Sequence, residues 1–506
     1  MAKFKFKSLG LILLCIITLL PTLILSGCTD EVFSIYFGVE EMPYNLDPQK
    51  SETYGELLAV RNCFKGLFKE DTDGNIVPDL AETYTVSDDK LTYTFKIKDC
   101  EWKNGTAVTA DDFVFAVTRA KDPITASPSA KSVENVECIT SINSKSFTIK
   151  LIKPDENFLK LLTSAVFKPC NREFFEKSGG KYGLSREYIL TNGDYTIANW
   201  NERQIKLKLT ENHKNRKTAP ENVFITVSST GKNSVERINS KEIGMAINSI
   251  NDWTSVNQSE YNIISNYSKS YALIFNKNTE IGKNTKLTSA FAKSVHKEYY
   301  SVRMSQRFTV PKSVIFDNTL LSNIPNYAYQ FDSNLARTEF LEALQDFKGK
   351  KLPSLSVLTA GNDEINAILG DIVSQWQNHL GAYVNITKVN SESQLLEKVK
   401  SGNFTIALVP LEDTAENILK YFADSTSGFY LFNTEFDQSI TQLNDANTRH
   451  DKDVALTSCA TILSNESTII PIVSVPTSYI YDKNYKNVYF STVDATIDFT
   501  IISKVK

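Results

Sequence analysis

The sequence predicts an α/β fold, and three patterns support this prediction. Apolar and polar residues alternate over residues 91–98 and again over residues 146–151, which is typical of strands with one buried face. A helical stripe of apolar residues covers residues 365–380 and ends at Gly381. Residues 383–387 then return to a strand-like pattern. A helix, a glycine cap and a strand in succession indicate an α/β unit in the second half of the chain.

A further helix is predicted from the signal at its start. Thr109 followed three residues later by Asp112 resembles a capping box, in which side chain and backbone satisfy each other at the first turn. We expect this helix to run through Arg119.

A tight turn is predicted at Asp73 and Gly74, because these residues separate two short apolar segments. Asp71, Asp73 and Asn75 also imitate the start of a calcium loop. Gly74 stands at the fourth position of that loop rather than the sixth, and no glutamate follows at the twelfth. A turn is therefore favoured over a calcium site.

The composition is that of an ordinary globular protein. The chain has 506 residues, of which 42% are hydrophobic and 23% charged, and this excludes collagen, coiled coil and wholesale disorder. At roughly 100 to 200 residues per domain, the length indicates two to four domains. The net charge is −4, with 55 basic and 59 acidic residues, which argues against a nucleic-acid partner.

Residues 1–27 have the pattern of an export signal. Three lysines precede an apolar run over residues 9–25, and Ser26 and Gly27 separate this run from Cys28. The run is short for a membrane span and contains a proline, so a cleaved signal is favoured over a retained transmembrane helix. Residues 25–28 resemble the lipobox of bacterial lipoproteins. This resemblance implies a lipid attached to Cys28 and a mature chain held at the extracytoplasmic face of the bacterial cell membrane.

The cysteines do not form a recognisable metal or redox motif. Apart from Cys15 in the signal and Cys28, the chain contains Cys63, Cys100, Cys138, Cys170 and Cys459. This number is odd and no C-x-x-C occurs, so zinc and thioredoxin-type sites are not indicated. The sequence leaves two alternatives open: one or two disulfides among the first four of these cysteines, or buried free thiols.

Local catalytic motifs are missing from the sequence. The four histidines form no H-E-x-x-H motif, and the chain has neither a G-x-S-x-G elbow nor a G-x-x-x-x-G-K-[ST] phosphate loop. We therefore expect a binding function without a metal or a cofactor, rather than an enzyme. An exported hydrolase with dispersed catalytic groups is the alternative.

Several short motifs occur in a fixed order in the first quarter of the chain. They are residues 45–48 (NLDP), 61–67 (RNCFKGL), 74–82 (GNIVPDLAE), 91–95 (LTYTF), 102–105 (WKNG) and 109–114 (TADDFV). Weaker landmarks follow at residues 125–128 (TASP), 191–195 (TNGDY), 275–276 (FN) and 470–472 (IPI). Together they resemble the solute-binding lipoproteins of oligopeptide and dipeptide ABC importers. Each motif also has a structural interpretation; residues 102–114, for example, fit a strand, a turn and a capped helix.

The resemblance implies a two-lobed periplasmic-binding-protein-like fold of type II with an additional N-terminal domain. By analogy, the first lobe comprises residues 29–49, 186–268 and 474–506, the additional domain residues 50–185, and the second lobe residues 269–473. The implied protein is a monomer that captures a peptide in the cleft between the lobes and passes it to permease subunits. It performs no chemistry itself.

Four residues are candidates for ligand contact by resemblance. Asp413 is the nearest match to an aspartate of the second lobe that meets the peptide N-terminus, and Glu412 is its possible substitute. An ammonium needs such a partner because an unpaired buried charge is costly. Asn251 and Trp253 match a cleft segment, where the indole could stack on the ligand or wall it off. A solvated loop position for Asp413 and a core position for Trp253 are the alternatives.

Three departures from the family pattern leave the ligand class open. Ser129 stands where a tyrosine is common, residues 473–475 (VSV) replace an aromatic run, and residues 287–296 lack the typical arginine and aspartate. A non-peptide small solute is therefore an alternative ligand. A sensory or structural lipoprotein is a further alternative to transport.

Overall fold

The computed structural model describes residues 32–248, 255–303, 308–311, 325–361, 363–412, 415–446 and 448–505. Its chain divides into two compact units. Unit 1 comprises residues 1–232, 240–245 and 482–506, and unit 2 comprises residues 233–239 and 246–481, each within the described ranges. The residue boundaries expected for the two lobes and for the additional domain stay a prediction.

The described residues form strands and helices that alternate along most of the chain. The strands are β1 (Ser34–Gly38), β2 (Phe68–Glu70), β3 (Ile76–Pro78), β4 (Ala81–Val86), β5 (Thr92–Ile97), β6 (Val136–Asn143), β7 (Ser146–Leu151), β8 (Tyr195–Trp200), β9 (Gln204–Leu209), β10 (Asn222–Thr226), β11 (Met245–Asn248), β12 (Tyr261–Phe275), β13 (Leu355–Thr359), β14 (Val384–Lys388), β15 (Ile406–Glu412), β16 (Ile469–Asp482), β17 (Tyr485–Lys486) and β18 (Ser503–Lys504). The α-helices are α1 (Tyr54–Cys63), α2 (Ala110–Lys121), α3 (Phe158–Leu161), α4 (Arg172–Lys177), α5 (Ser234–Asn239), α6 (Glu280–Lys283), α7 (Thr285–Lys293), α8 (Glu298–Arg303), α9 (Ser333–Ala343), α10 (Asp363–Leu380), α11 (Glu392–Lys400), α12 (Ala415–Ala423), α13 (Thr434–Asp445) and α14 (Arg449–Ser464). Within the described ranges, none of these helices combines the length and apolar character needed to span a bilayer.

Unit 1 contains two four-stranded groups beside the two-stranded pairs β2–β3 and β17–β18. In the first, β1 pairs in parallel with β10, which continues antiparallel into β9 and β8. In the second, β4, β5, β7 and β6 lie side by side and antiparallel. The predicted strands at residues 91–98 and 146–151 are confirmed as β5 and β7. Phe95 of β5 lies opposite Phe147 of β7, and Phe113 of α2 stacks on Phe147, so the predicted alternation forms one face of a core.

The predicted capping box and turn are both present in unit 1. At the start of α2, the Asp112 carboxylate accepts a hydrogen bond from the Thr109 N–H at 2.9 Å. Between β2 and β3, Gly74 has a φ of +80°, which favours glycine. The Asp71 carboxylate accepts bonds from the N–H groups of Asp73 and Asn75, both at 2.9 Å. These aspartate contacts close the turn, as predicted.

The sheet of unit 2 is buried on both faces where β12 and β15 pair. β12 pairs antiparallel with β15, which pairs in parallel with β13, and β13 pairs in parallel with β14. Along β12, Leu273 and Phe275 belong to one hydrophobic core, whereas Ala272 and Ile274 belong to another. Such double burial explains why the paired segments 271–275 (YALIF) and 406–409 (IALV) are continuously apolar.

The predicted helix, glycine and strand of the second half are confirmed in unit 2. Helix α10 buries its apolar stripe, including Trp376, whose indole N–H donates to the Phe291 carbonyl at 3.1 Å. Gly381 follows with a φ of +75°, a conformation that ends helices at glycine. Strand β14 begins three residues later.

The five described cysteines are all free thiols. Burial raises the pKa of Cys63, Cys170 and Cys459 to about 12, so these thiols are unreactive at neutral pH. Of the two possibilities left open by the sequence, the structure has the free thiols.

Candidate functional site

Three parallel strands of unit 2 end at one edge of its sheet. β13 lies between β14 and β15, so Thr359, Lys388 and Glu412 mark a common carboxyl edge. A helix follows each strand: α10 after β13, α11 after β14 and α12 after β15. In open α/β sheets, ligands bind outside the carboxyl ends of the strands. We call this region the carboxyl edge and take it as the candidate site.

An ion pair lies at the carboxyl edge. Strand β12 runs antiparallel to β15 and places Lys269 opposite Glu412. The Lys269 ammonium lies 3.1 Å from both carboxylate oxygens of Glu392, and the Tyr271 hydroxyl donates to the same carboxylate at 3.3 Å. The lysine side chain is 22% exposed and that of Glu392 42% exposed. A pair this accessible contributes ~1 kcal/mol or less to stability. Its main effect is to hold the Lys269 ammonium and the Glu392 carboxylate at defined positions on the edge.

Acidic residues outnumber basic ones along this edge. The first turns of α10 and α11 carry Asp363, Glu364 and Glu392, where carboxylates interact favourably with the helix dipole. Glu412 ends β15, and Asp413 follows it in the sequence. Lys269 and Lys388 are the basic residues among the strand and helix ends named here, so the local charge favours a cationic group of a ligand.

Side-chain hydrogen bonds hold the described segments that follow β13 and β14. The Thr359 hydroxyl accepts a bond from the Gly361 N–H at 3.0 Å and donates to the Asn366 side-chain oxygen at 3.1 Å. Ser391 caps α11 by accepting a bond from the Gln394 N–H at 3.2 Å. These contacts hold residues 359–361 and the start of α11 in place before any ligand arrives, which lowers the entropic cost of binding.

Of the four ligand residues predicted from the sequence, one lies within the described part of the chain. Glu412 is the last residue of β15, and its backbone pairs with that of Lys269. Asp413, Asn251 and Trp253 lie outside the described residues. The lipid-attachment residue Cys28 also lies outside them. The roles of all five residues stay predictions.

The sequence analysis missed the group formed by Lys269, Tyr271 and Glu392. The lysine and the tyrosine are separated by one residue on a strand, so they share a face. This spacing could have been recognised from the sequence. Glu392 follows Ser391, a pattern typical of a helix start that gives no sign of a distant partner.

The landmark at residues 45–48 has a structural role in unit 1. The Asp47 carboxylate lies 2.5 Å from the guanidinium of Arg119, which also donates to the Gln49 side chain at 3.0 Å. Both members of the pair are buried, and the guanidinium stacks 3.9 Å from the centre of the Phe175 ring. Removing either partner would leave an uncompensated buried charge, so this landmark maintains the fold.

Further landmark residues of unit 1 meet around a small polar cavity. Lys65 pairs with Asp194 at 2.8 Å, and the Gly66 N–H donates to Asp79 at 3.1 Å. The cavity that they share with Lys168 has a volume of about 30 Å³, which is the space of one water molecule. It is too small for a peptide or another organic solute.

The chain is similar to several known proteins. Residues 75–449 match the model described as bacterial extracellular solute-binding proteins, family 5 middle. The periplasmic oligopeptide-binding protein OppA of Escherichia coli K12 is 34% identical over 226 residues, which are 41% of this chain and 41% of the relative. The dipeptide-binding protein DppE of Bacillus subtilis 168 is 23% identical over 87% of this chain and 86% of its own length.

A solved structure of the Haemophilus influenzae OppA complex with RPPGFSPFR superposes with a TM-score of 0.73 at 20% identity. The superposition covers 94% of this chain and 100% of that chain. Together with the family match, it confirms the predicted fold class, α/β with two lobes of the periplasmic-binding-protein type.

Proposed function

The chain belongs to the bacterial extracellular solute-binding proteins of family 5, and from this premise we propose that it captures peptides, oligopeptides above all, for an ABC importer. The observation that carries the proposal is the family match over residues 75–449, supported by the alignment with a dipeptide-binding protein along 87% of the chain. The family membership predicted from the landmark motifs is thus confirmed. The ligand and the permease partner are the proposal.

The proposed capture relies on the carboxyl edge of unit 2. An extended peptide satisfies its backbone through strand-like hydrogen bonds, while its N-terminal ammonium requires a carboxylate. We assign this carboxylate to Asp413, with Glu412 as its neighbour at the end of β15. The acidic surroundings described above support a cationic group here. Asn251 and Trp253 would bound the ligand elsewhere in the site.

The proposed protein works outside the cytoplasm as a monomer. A lipid on Cys28 would hold it at the extracytoplasmic face of the membrane, where the ligand passes to permease subunits. ATP hydrolysis belongs to a separate subunit in this scheme, and this chain acts by binding alone.

Mass spectrometry of the small molecules released on denaturing residues 29–506 tests the ligand class. A heterogeneous set of short peptides would support the proposal. A single non-peptide compound would redirect it to another solute. Turnover of a peptide, ester or glycoside substrate would favour the hydrolase alternative, and an empty protein that shows no thermal shift with peptides would favour a sensory or structural role.

Substitution of Asp413 tests the proposed ammonium contact. We expect Asp413→Asn to weaken binding of a free peptide by about thirtyfold or more, because losing one partner of a buried charge pair costs roughly 2–5 kcal/mol. Binding is measured by isothermal titration calorimetry.

Two controls define what this substitution means. Asp363→Asn removes a charge from the same edge, in the first turn of α10, and should change the affinity only about twofold. An N-acetylated peptide should bind the wild type and the Asp413→Asn variant equally. Unchanged affinity for the free peptide would refute the assignment of Asp413.

A further inference from the structure

Unit 2 contains a cavity that shares no residue with the carboxyl edge. Its volume is about 460 Å³, within the range of small-molecule sites. The described residues that line it are Lys297, Glu298, Val310, Pro311, Asn326, Tyr327 and Gln330. Because the residues come from separate stretches of the chain, the cavity was not visible in the sequence.

Lys297 supplies a buried cation to this cavity. The residue is only 2% exposed, and its ammonium forms no salt bridge with any described carboxylate. Burial lowers the pKa of Lys297 to about 8, an effect that nearby Glu298 opposes. At neutral pH the group is therefore still mostly protonated. An ammonium in this position is costly unless an anion pairs with it.

An aromatic ring positions this ammonium. Lys297 Nζ lies 4.2 Å from the centre of the Tyr327 ring, a cation–π contact. The ring is itself held, because the Tyr327 hydroxyl donates to the Glu466 carbonyl at 3.4 Å and the Gln330 amide donates to the Tyr327 carbonyl. The cation and the ring therefore form a fixed pair, and both residues line the cavity.

The remaining lining separates apolar from polar groups. Val310 and Pro311 add apolar surface, and Pro311 is buried. Asn326, Gln330 and Glu298 are exposed, so they belong to the solvent side. A ligand that fits this pattern has one anionic group and a compact apolar body.

We propose that this cavity binds a small organic carboxylate, whose anionic group pairs with Lys297 and whose apolar part contacts Tyr327, Val310 and Pro311. A singly charged carboxylate fits better than a phosphate dianion, because Lys297 is the one cation among the described lining residues and Glu298 lies at the same cavity. The site is independent of the peptide-binding proposal and would persist if the carried solute were not a peptide.

The test compares benzoate with benzamide, two molecules of the same shape that differ in charge. We expect benzoate to bind residues 29–506 at least about tenfold more tightly, as charge-assisted hydrogen bonds are roughly twice as strong as neutral ones. Saturation-transfer NMR and isothermal titration measure this difference at pH 7. Equal affinities, or no saturable binding of benzoate at millimolar concentrations, would overturn the proposal.

Lysine variants locate the site. Lys297→Met should abolish the preference for benzoate, and Lys297→Arg should retain most of it. The matched control is Lys168→Met, which removes a buried lysine of unit 1 and should leave benzoate binding unchanged. If Lys297→Met fails to fold, loss of the benzoate preference in a folded Lys297→Gln variant would support the site, and equal affinities of the wild type for the two ligands would still overturn the proposal. If a folded Lys297→Met variant still bound benzoate more tightly than benzamide, benzoate would bind elsewhere and the proposed site would be refuted.

Discussion

Burial of the Lys168 ammonium lowers the stability of unit 1 at neutral pH. The residue is 5% exposed, and burial lowers the pKa of Lys168 to about 8, despite the attraction of Asp79. Lysine in the unfolded chain titrates near 10.4. The folded state therefore binds fewer protons than the unfolded state between these two values, so this residue makes unit 1 more stable as the pH rises from about 8 to about 10.4.

We expect Lys168→Met to stabilise unit 1 at pH 7 by about 1–2 kcal/mol, because an apolar side chain of similar length replaces a buried charge. Urea unfolding at several pH values measures the change. The advantage of the variant should be largest below pH 8 and should shrink towards pH 10, where the wild-type lysine is neutral in the folded state. A gain that grows with pH would contradict the burial argument.

Residues of this kind also mark the limit of sequence-based reasoning. Nothing in the segment around Lys168 indicates that its ammonium is buried, since the neighbouring apolar residues fit an ordinary loop equally well. The same applies to Lys297. Burial of a lysine depends on what the rest of the fold places around it.

At the scale of elements, local signals predicted the structure well. The helix expected from Thr109 through Arg119 is α2, which continues to Lys121, and the strand expected at residues 383–387 is β14, displaced by one residue. Capping, glycine and alternation act within a few residues of the chain. The Lys269–Glu392 pair joins residues 123 positions apart, and no periodic pattern connects them.

The start of α2 offers a quantitative test of one such local signal. One oxygen of the Asp112 carboxylate accepts bonds from the Thr109 N–H at 2.9 Å, the Thr109 hydroxyl at 3.4 Å and the Trp102 indole at 3.1 Å. Burial raises the pKa of Asp112, whereas the hydrogen bonds from Thr109 and Trp102 oppose this rise. We expect Asp112→Ala to destabilise unit 1 by about 2–3 kcal/mol in urea unfolding.

Two comparisons separate geometry from charge at this site. Asp112→Asn keeps a carbonyl oxygen as the acceptor and should cost less than half as much as the alanine variant. Asp111→Ala removes an exposed acid from the same first turn and should cost about 0.5 kcal/mol or less. Equal losses in all three variants would show that the helix dipole, rather than the cap, dominates.

For the whole molecule, the order of short motifs identified the family, whereas the ligand residues did not follow from it. The motif residues that the structure describes, such as Asp47 in its pair with Arg119, maintain the fold. One fold can serve proteins that bind different ligands, so residues that maintain the fold do not identify the ligand. Binding experiments, rather than further sequence patterns, are therefore needed to establish the roles of Asp413, Asn251 and Trp253.

The predicted lipid anchor is a property of the whole molecule. Each buried methylene of an acyl chain contributes about 0.8 kcal/mol, so two or more chains on Cys28 would keep the protein on the membrane. We expect Cys28→Ala to move the protein from the membrane fraction to the soluble fraction and to abolish incorporation of labelled fatty acid. Cys138→Ala, which removes an exposed thiol of β6, should leave both unchanged. Full membrane retention of Cys28→Ala would instead support a retained transmembrane segment at residues 9–25.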